Sequence, residues 1–482
     1  MELLFIFIFL CISAGVGLLT KNRIIIELTS VISSFIVFVE SINIALKVSL
    51  SGKYSSFSIF SVDALGAILL LLISCVGFVV VIYSIPYLRK ETEKKAVGFT
   101  RVRQYFVLLN LFLIAMVLAI SANNPIFAWI SIEATTLSTA FLISFYNKPS
   151  AIEAAWKYLI INSVGLLLGF LGTLLYFTST HSANENGFIS WESLTENATQ
   201  LDPLIAKIAF IFVLIGYGTK VGLAPMHTWL PDAHSKAPAP ISALLSGVLL
   251  NVALVIVLRF KVITDIAVNE NFTQNLLIIF GLLSILIATL VILTQKNYKR
   301  LLAYSSIENM GIMALGFGLG GIGALGAIFH MIYHSLLKST LFLSAGTIFL
   351  TYGSTKIPNI RGILSTLPVT SVVFLLGFFA ITGAPPLGVF FSKMIILSQG
   401  IETHPFVSIF ALLLMAILFI GFFKHVSVMV FGKKLVGAER KNESIWLIIP
   451  PCILMGIFIL LSFYMPLFLS TLINDAVKML LI

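Results

Sequence analysis

Apolar residues run through this chain in blocks long enough to cross a lipid bilayer, with short polar connections between them. About 20 consecutive apolar residues span the hydrocarbon. Fourteen such windows are present, at roughly 1–19, 24–46, 60–84, 104–121, 124–146, 151–178, 204–225, 239–260, 274–294, 300–318, 322–350, 367–400, 405–431 and 445–472. The tenth is short and the twelfth is long enough to contain a break. No sustained period-two alternation accompanies them, which argues against a transmembrane barrel. The pattern predicts an all-α polytopic membrane protein with about fourteen transmembrane helices. No connection is long enough to fold alone, so residues 1–482 read as a single membrane domain without a soluble domain.

Two windows are interrupted. The seventh carries "IGYGTKVGLAPMHTWL" (215–230), with glycines ahead of Pro225, and the twelfth carries "FFAITGAPPLGVFFSKMIIL" (378–397), with Gly383, Pro385, Pro386 and Gly388 in mid-run. They lie five windows apart, and an odd separation places corresponding helices in opposite orientation. The spacing therefore predicts two inverted five-helix repeats, about 103–260 and 274–431, with helices seven and twelve broken. Unwound backbone persists at membrane depth only where it lines protein or water, so matched breaks point to a transport path. Proline kinks made only for packing are the plainer alternative.

Composition agrees with the membrane class: 59% of residues are hydrophobic and 10% charged, with a mean hydropathy of +1.06. The net charge of +10 is explained by where the cations sit. Alternate connections hold nineteen Lys and Arg, including Arg89, Lys94, Arg101, Arg103, Lys148, Lys236, Lys434 and Lys441. The opposite side holds five, Lys47, Lys53, Arg259, Lys261 and Lys478, and its long loop 179–203 has three Glu, one Asp and no Lys or Arg. The positive-inside rule then places the nineteen in the cytoplasm and both termini outside. This basic excess sets topology; it is no nucleic-acid patch. The opening "MELLFIFIFL" lacks a cationic start, which argues against a cleaved signal peptide and fits an outside N-terminus. Cys11, Cys75 and Cys452 stand singly, with no Cys-x-x-Cys, so no iron–sulfur or zinc site is expected in this chain.

Ionisable residues inside apolar windows carry the candidate chemistry, because each costs about 2.5–3.5 kcal/mol on insertion scales. They are Glu133, Lys157, Lys220, Glu308, His330, His334, Lys338, Lys393 and Lys424. Any one of them alone reads equally as a structural or snorkelling group; as a set they form a row of titratable stations, as a proton route requires. A lysine serves as a station where desolvation loosens its proton and a nearby carboxylate holds it on. Glu133, in "WISIEATTL", is the expected partner of Lys220. His330 and His334 are four apart and share a helix face with Lys338. Such a pair binds a metal or relays protons, and the lack of a carboxylate or cysteine close in sequence favours the relay. His227 and His234 flank the first break and either feed it or cap the turn. "GIGALG" (321–326) fits a dinucleotide-binding glycine pattern but joins two apolar helices and follows no strand.

The stretch "GYGTKVGLAPMHTWLPDAHSKAPAPISALLSGVLLNVALVIVLRF" (216–260) resembles the antiporter-like proton-translocating subunits of respiratory complex I, Mrp-type cation/proton antiporters and membrane-bound hydrogenases. "YSSIENMGIMALGFGLGGIGALGAIFHMIYHSLLKSTLFLSAG" (304–346) is similar to the component F group of hydrogenase-4 and formate hydrogenlyase. The likeness covers about 100–431. It implies that Glu133, Lys220 and Lys393 are the helix-five, helix-seven and helix-twelve ionisable residues of the family. The helix-eight lysine of many complex I relatives falls at Asn251, so Lys338 with His334 is the expected central bridge instead. The chain ends about ten residues past its last window, and the long lateral helix of the largest complex I relative is not expected.

The resemblance implies a non-catalytic subunit that moves protons, or exchanges Na+ and protons, within a redox-driven complex. The setting would be the energy-transducing inner or cell membrane of a bacterium or archaeon. No cofactor is expected in this chain; iron–sulfur and metal centres would belong to partner subunits of a respiratory or hydrogenase-type complex. The alternative is an Mrp-like secondary cation/proton antiporter, or an ion-driven uptake module, uncoupled from redox chemistry.

Overall fold

The computed structural model describes residues 1–180, 189–268, 271–433, 440 and 442–481. Part of the acidic loop (181–188), together with Lys434 and Lys441, lies outside the described residues. The first helices are α1 (Glu2–Leu19), α2 (Arg23–Ser51), α3 (Ala64–Glu93), α4 (Phe99–Ser121), α5 (Pro125–Ile143) and α6 (Pro149–Tyr176). A short hairpin, β1 (Tyr54–Ser56) paired antiparallel with β2 (Phe60–Val62), joins α2 to α3. It is a local exception to the all-helical expectation. After the short α7 (Trp191–Glu196) come α8 (Pro203–Val221), α9 (Trp229–Lys236), α10 (Ala239–Leu244) and α11 (Leu250–Val268). The remainder comprises α12 (Phe272–Ile292), α13 (Tyr298–Leu319), α14 (Gly321–Tyr352), α15 (Ile363–Thr366), α16 (Pro368–Thr382), α17 (Gly388–Thr403), α18 (Pro405–Phe431), α19 (Ile445–Phe463) and α20 (Leu467–Leu480).

The helix starts follow local chemistry. Side chains of Asn22, Asn124, Asp202 and Asn297 accept from the first free N–H groups of α2, α5, α8 and α13, and proline opens α5, α6, α8 and α18, where its missing N–H costs nothing. Among the described residues, eleven helices are long and apolar enough to cross a membrane. The windows at 300–318 and 322–350 become α13 and α14, whose polar residues dilute their hydropathy. The twelfth window is split between α16 and α17, each too short alone. The last window is corrected: its helix stops at Phe463, and 467–480 is a separate amphipathic helix burying Leu469, Leu472, Ile473, Ala476 and Leu480 on one face.

Burial grades from the rim inward. Residues 239–264 are wholly buried, whereas only 33% of the apolar windows of α1, α18 and α19 is covered. Large apolar side chains such as Phe141, Leu412 and Ile420 therefore face outward, as a lipid-contacting surface requires. Polar ties sort to two ends. The amino terminus meets Tyr54 at 3.2 Å, Lys53 meets Glu192 at 2.5 Å, and Arg259 meets Asp63 at 3.0 Å at one end. At the other end Arg300 pairs with Asp232 at 2.6 Å, and Glu443 accepts from the backbone N–H groups of Val369 and Thr370, each at 2.9 Å.

Both breaks are built alike. α8 ends at Gly222 (φ +82) and α16 at Gly383 (φ +91), left-handed positions that suit glycine, and a cis X–Pro bond follows each, at Ala224–Pro225 and Pro385–Pro386. A short 3₁₀ turn (Met226–Thr228) leads into α9, and one π turn (Leu245–Leu249) links α10 to α11. Above the first break α6 and α8 touch backbone to backbone. A Cβ on Gly216 would lie 2.3 Å from Gly169 N, and one on Gly172 would lie 2.7 Å from Ala209 O.

Candidate functional site

The freed backbone groups at each break find specific partners, which is how broken helices survive at depth. At the first, the Trp229 indole donates to Thr219 O at 2.8 Å and Ala224 N–H donates to Ser284 Oγ at 2.9 Å. At the second, Gly388 N–H donates to Ser462 Oγ at 3.1 Å and Lys393 Nζ reaches Thr382 O at 3.4 Å. A lysine thus stands at the C-terminal end of both first half-helices. Lys220 lies within the last turn of α8, and Lys393 reaches back from α17 to the last turn of α16. The negative end of a helix favours a cation there by about 0.3–1 kcal/mol, more when partly buried.

Lys220 is fully buried. Its Nζ donates to Thr136 Oγ1 at 2.9 Å and to Tyr158 OH at 2.6 Å, and lies 4.7 Å from the centre of the Tyr158 ring. Tyr158 OH is in turn 2.6 Å from Thr139 Oγ1. Glu133 is half-buried and accepts from Ser163 Oγ at 2.7 Å, while its other oxygen has no protein partner. Among the described residues no ion pair joins Glu133 to Lys220. The lysine instead contacts Thr136, one turn further along α5.

The second half is held differently. Lys393 Nζ lies 3.0 Å from Glu308 Oε1, and the other Glu308 oxygen accepts from Asn309 Nδ2. Asn309 Oδ1 is 2.9 Å from His330 Nε2, and His330 Nδ1 is 2.9 Å from Ser392 Oγ. Between the halves, Lys338 Nζ donates to Leu302 O at 3.0 Å. Asn251 Nδ2 donates to Ser335 Oγ at 2.8 Å, and Ser246 and Ser306 share a bond of 2.6 Å. His234 stacks on Phe342, centroids 5.1 Å apart, and His227 lies edge-on to Tyr304 at 6.3 Å.

Both ring nitrogens of His234 and of His334, with Asn251 Oδ1 and Ser305 Oγ, are buried without a protein partner. Leaving a polar group so costs about 1–3 kcal/mol, and a cluster of them is where internal water belongs. Such a file of hydroxyls, amides, imidazoles and amines, bridged by water, can pass protons. Among the described residues no group of three His, Cys, Asp or Glu is placed to hold a metal ion.

Ten of the candidates therefore lie in or beside one polar file: Glu133, Lys220, His227, His234, Asn251, Glu308, His330, His334, Lys338 and Lys393. Two do not. Lys157 is exposed, paired with Glu153 at 2.6 Å and near Asp232 at 3.7 Å; its neighbour Tyr158 is the one that points inward. Lys424 is exposed on α18, where it is no station of the buried file. Tyr158, Thr136, Ser163, Asn309 and Ser392 were not marked by charge, though Thr136 (three after Glu133) and Asn309 (next to Glu308) stand beside residues that were.

With the site's geometry established, relatives decide the family. Residues 122–419 match the NADH:quinone oxidoreductase/Mrp antiporter transmembrane family. The chain belongs to that family. Residues 51–96 also match the N-terminal region of chain 5 of NADH-ubiquinone oxidoreductase (complex I). The hydrogenase-4 component F homolog of Methylacidiphilum infernorum is 40% identical over 375 residues, covering 77% of this chain and 78% of that protein. A chain of the membrane-bound sulfane sulfur reductase, an archaeal respiratory membrane complex, superposes with a TM-score of 0.88 at 24% identity, covering 99% of this chain and 97% of that one. One from the Mrp complex of Dietzia sp. DQ12-45-1b gives 0.85 at 17%, covering 100% and 99%. This member of the NADH:quinone oxidoreductase/Mrp antiporter family is thus an antiporter-like, multi-pass membrane chain, and its structural neighbours come from multisubunit membrane complexes.

Proposed function

We propose that this chain is the proton-translocating, or Na+/H+-exchanging, subunit of a redox-driven membrane complex of the hydrogenase or complex I type. The observation that carries the reading is the set of buried polar groups between two broken helices, with a lysine at each break. In this reading Glu133 and Lys220 form the first switch and Lys393 with Glu308 the last. Lys338, flanked by His334, His330 and His234, bridges them, because Asn251 is neutral. Residues 103–260 and 274–431 act as inverted repeats with half-channels of opposite orientation, and both termini face outside.

The test is the complete complex, purified with its partner subunits and reconstituted in liposomes. Lys220→Ala should remove the membrane potential formed during turnover while the subunits stay assembled. Undiminished translocation by that variant overturns the assignment. The family also contains Mrp antiporters, so the same liposomes driven by an imposed Na+ gradient, without electron donor, separate the second reading: proton movement under that condition favours a stand-alone antiporter. Thiol labelling from outside intact cells at Lys94→Cys would reverse the orientation.

A further inference from the structure

Beside the polar file lies a second group of buried charges. Lys299, in the first turn of α13, is only 2% exposed although it sits among the basic residues of a connection. Its Nζ donates to Ala237 O at 3.1 Å and lies 5.4 Å from the centre of the Phe349 ring. Ala237 caps α9 three residues beyond His234, so the lysine is docked one turn from that imidazole.

Glu91, in the last turn of α3, is 4% exposed and forms no salt bridge among the described residues. It lies within charge–charge reach of Lys299, Lys94 and Lys148, beside Tyr146, whose hydroxyl is 2.8 Å from that of Tyr87. His234 in turn lies within charge–charge reach of both Lys299 and Lys338. At the same end of α3 a cavity of about 320 Å³ is lined in part by Lys90, Glu93 and Lys94, the sequence neighbours of Glu91 rather than Glu91 itself, and by Thr347 and Glu443. Lys94 spans from it to Leu350 O, adjacent in sequence to Phe349.

We propose that Glu91 and Lys299 form a side entrance that delivers protons from the basic, inner face to His234, and so loads the polar file at its middle. The Lys299 ammonium gives a proton to a free ring nitrogen of His234 and becomes an amine. Protonated Glu91 returns a proton to that amine, and its carboxylate is reprotonated by water from the inner face. His234 then passes its proton to the Lys338 amine. A purely structural pair does not explain why the nitrogens of His234 are left unpartnered between two lysines. This branch rests on the translocating function proposed above.

The experiment uses the complete complex in liposomes, with membrane potential read per electron transferred. Lys299→Arg keeps a cation able to bond Ala237 O but does not release its proton. It should assemble normally and lower the potential-forming rate at least tenfold, and Glu91→Gln should do the same. Glu91→Asp should restore at least half of the rate, and millimolar acetic acid should partly rescue Glu91→Gln but not Lys299→Arg. Wild-type rates in Lys299→Arg overturn the entrance, whatever Glu91→Gln does. Lys220→Ala in the same assay separates the two readings: if it too pumps normally, the translocating function fails; if it alone is dead, only the entrance does.

Discussion

Lys220 and Lys393 both stand at the C-terminal end of a broken half-helix, yet neutral hydroxyls hold the first and a carboxylate 3.0 Å away holds the second. Glu133 is engaged by Ser163, apart from its lysine; Glu308 is closed on its own. Two sites of the same construction thus display an unpaired and a paired lysine, which in the proposed function are the open and the closed form of one switch. The difference is large enough to matter. Two unit charges brought to ~4 Å interact by about 4 kcal/mol at the effective dielectric of a partly polar interior. Moving a charge across 100 mV takes about 2.3 kcal/mol. Opening or closing one such pair therefore matches the work of moving a proton against a working membrane potential.

The contrast can be broken most strongly at the closed site. Glu308→Gln or Lys393→Met leaves one buried charge unpaired and should cost about 3–5 kcal/mol; thermal unfolding in detergent should show that the double variant recovers much of the loss. At the open site Lys220→Met removes hydrogen bonds but strands no contacting partner. It should cost only about 1–3 kcal/mol while abolishing translocation, so that stability and function separate at Lys220 and fall together at Lys393. Ser163→Ala frees Glu133 to approach Lys220 and should cost about 1 kcal/mol, with translocation slowed several-fold in the liposome assay. Asn251→Ala removes the bond to Ser335, should cost about 0.5–1.5 kcal/mol, and should keep more than half of the translocation rate. A larger loss there would move the central route onto α11.

Both breaks were legible because glycine and proline declare themselves within an apolar run, as were Lys220, Glu308 and Lys393, because charge there is conspicuous. What could not be read was helix phase. In a soluble helix hydropathy separates inside from outside, but lipid is as apolar as the protein core. Lys157 and Tyr158 differ by one position, about 100° of helix rotation, and the chain alone marked the wrong one. Lys424 was misjudged for the same reason. The Lys393–Glu308 pair spans 85 residues of sequence, and local spacing carries no trace of it. The helix at 467–480 merged with the last window because apolar residues lie on both sides of Pro466, and a hydropathy window does not register a change of direction.

The glycine contact between α6 and α8 has a mechanical consequence. With backbones touching at Gly169 and Gly216, any side chain added there would push 203–221 away from its neighbour. The interruptions of regular helix lie beyond that contact, at Gly222 and at the π turn 245–249. A rigid-body turn of the piece between these interruptions would act as a short crank. The piece carries His227 and His234 and rests through Ala237 on Lys299, so its rotation would re-aim the His234 imidazole relative to Lys338.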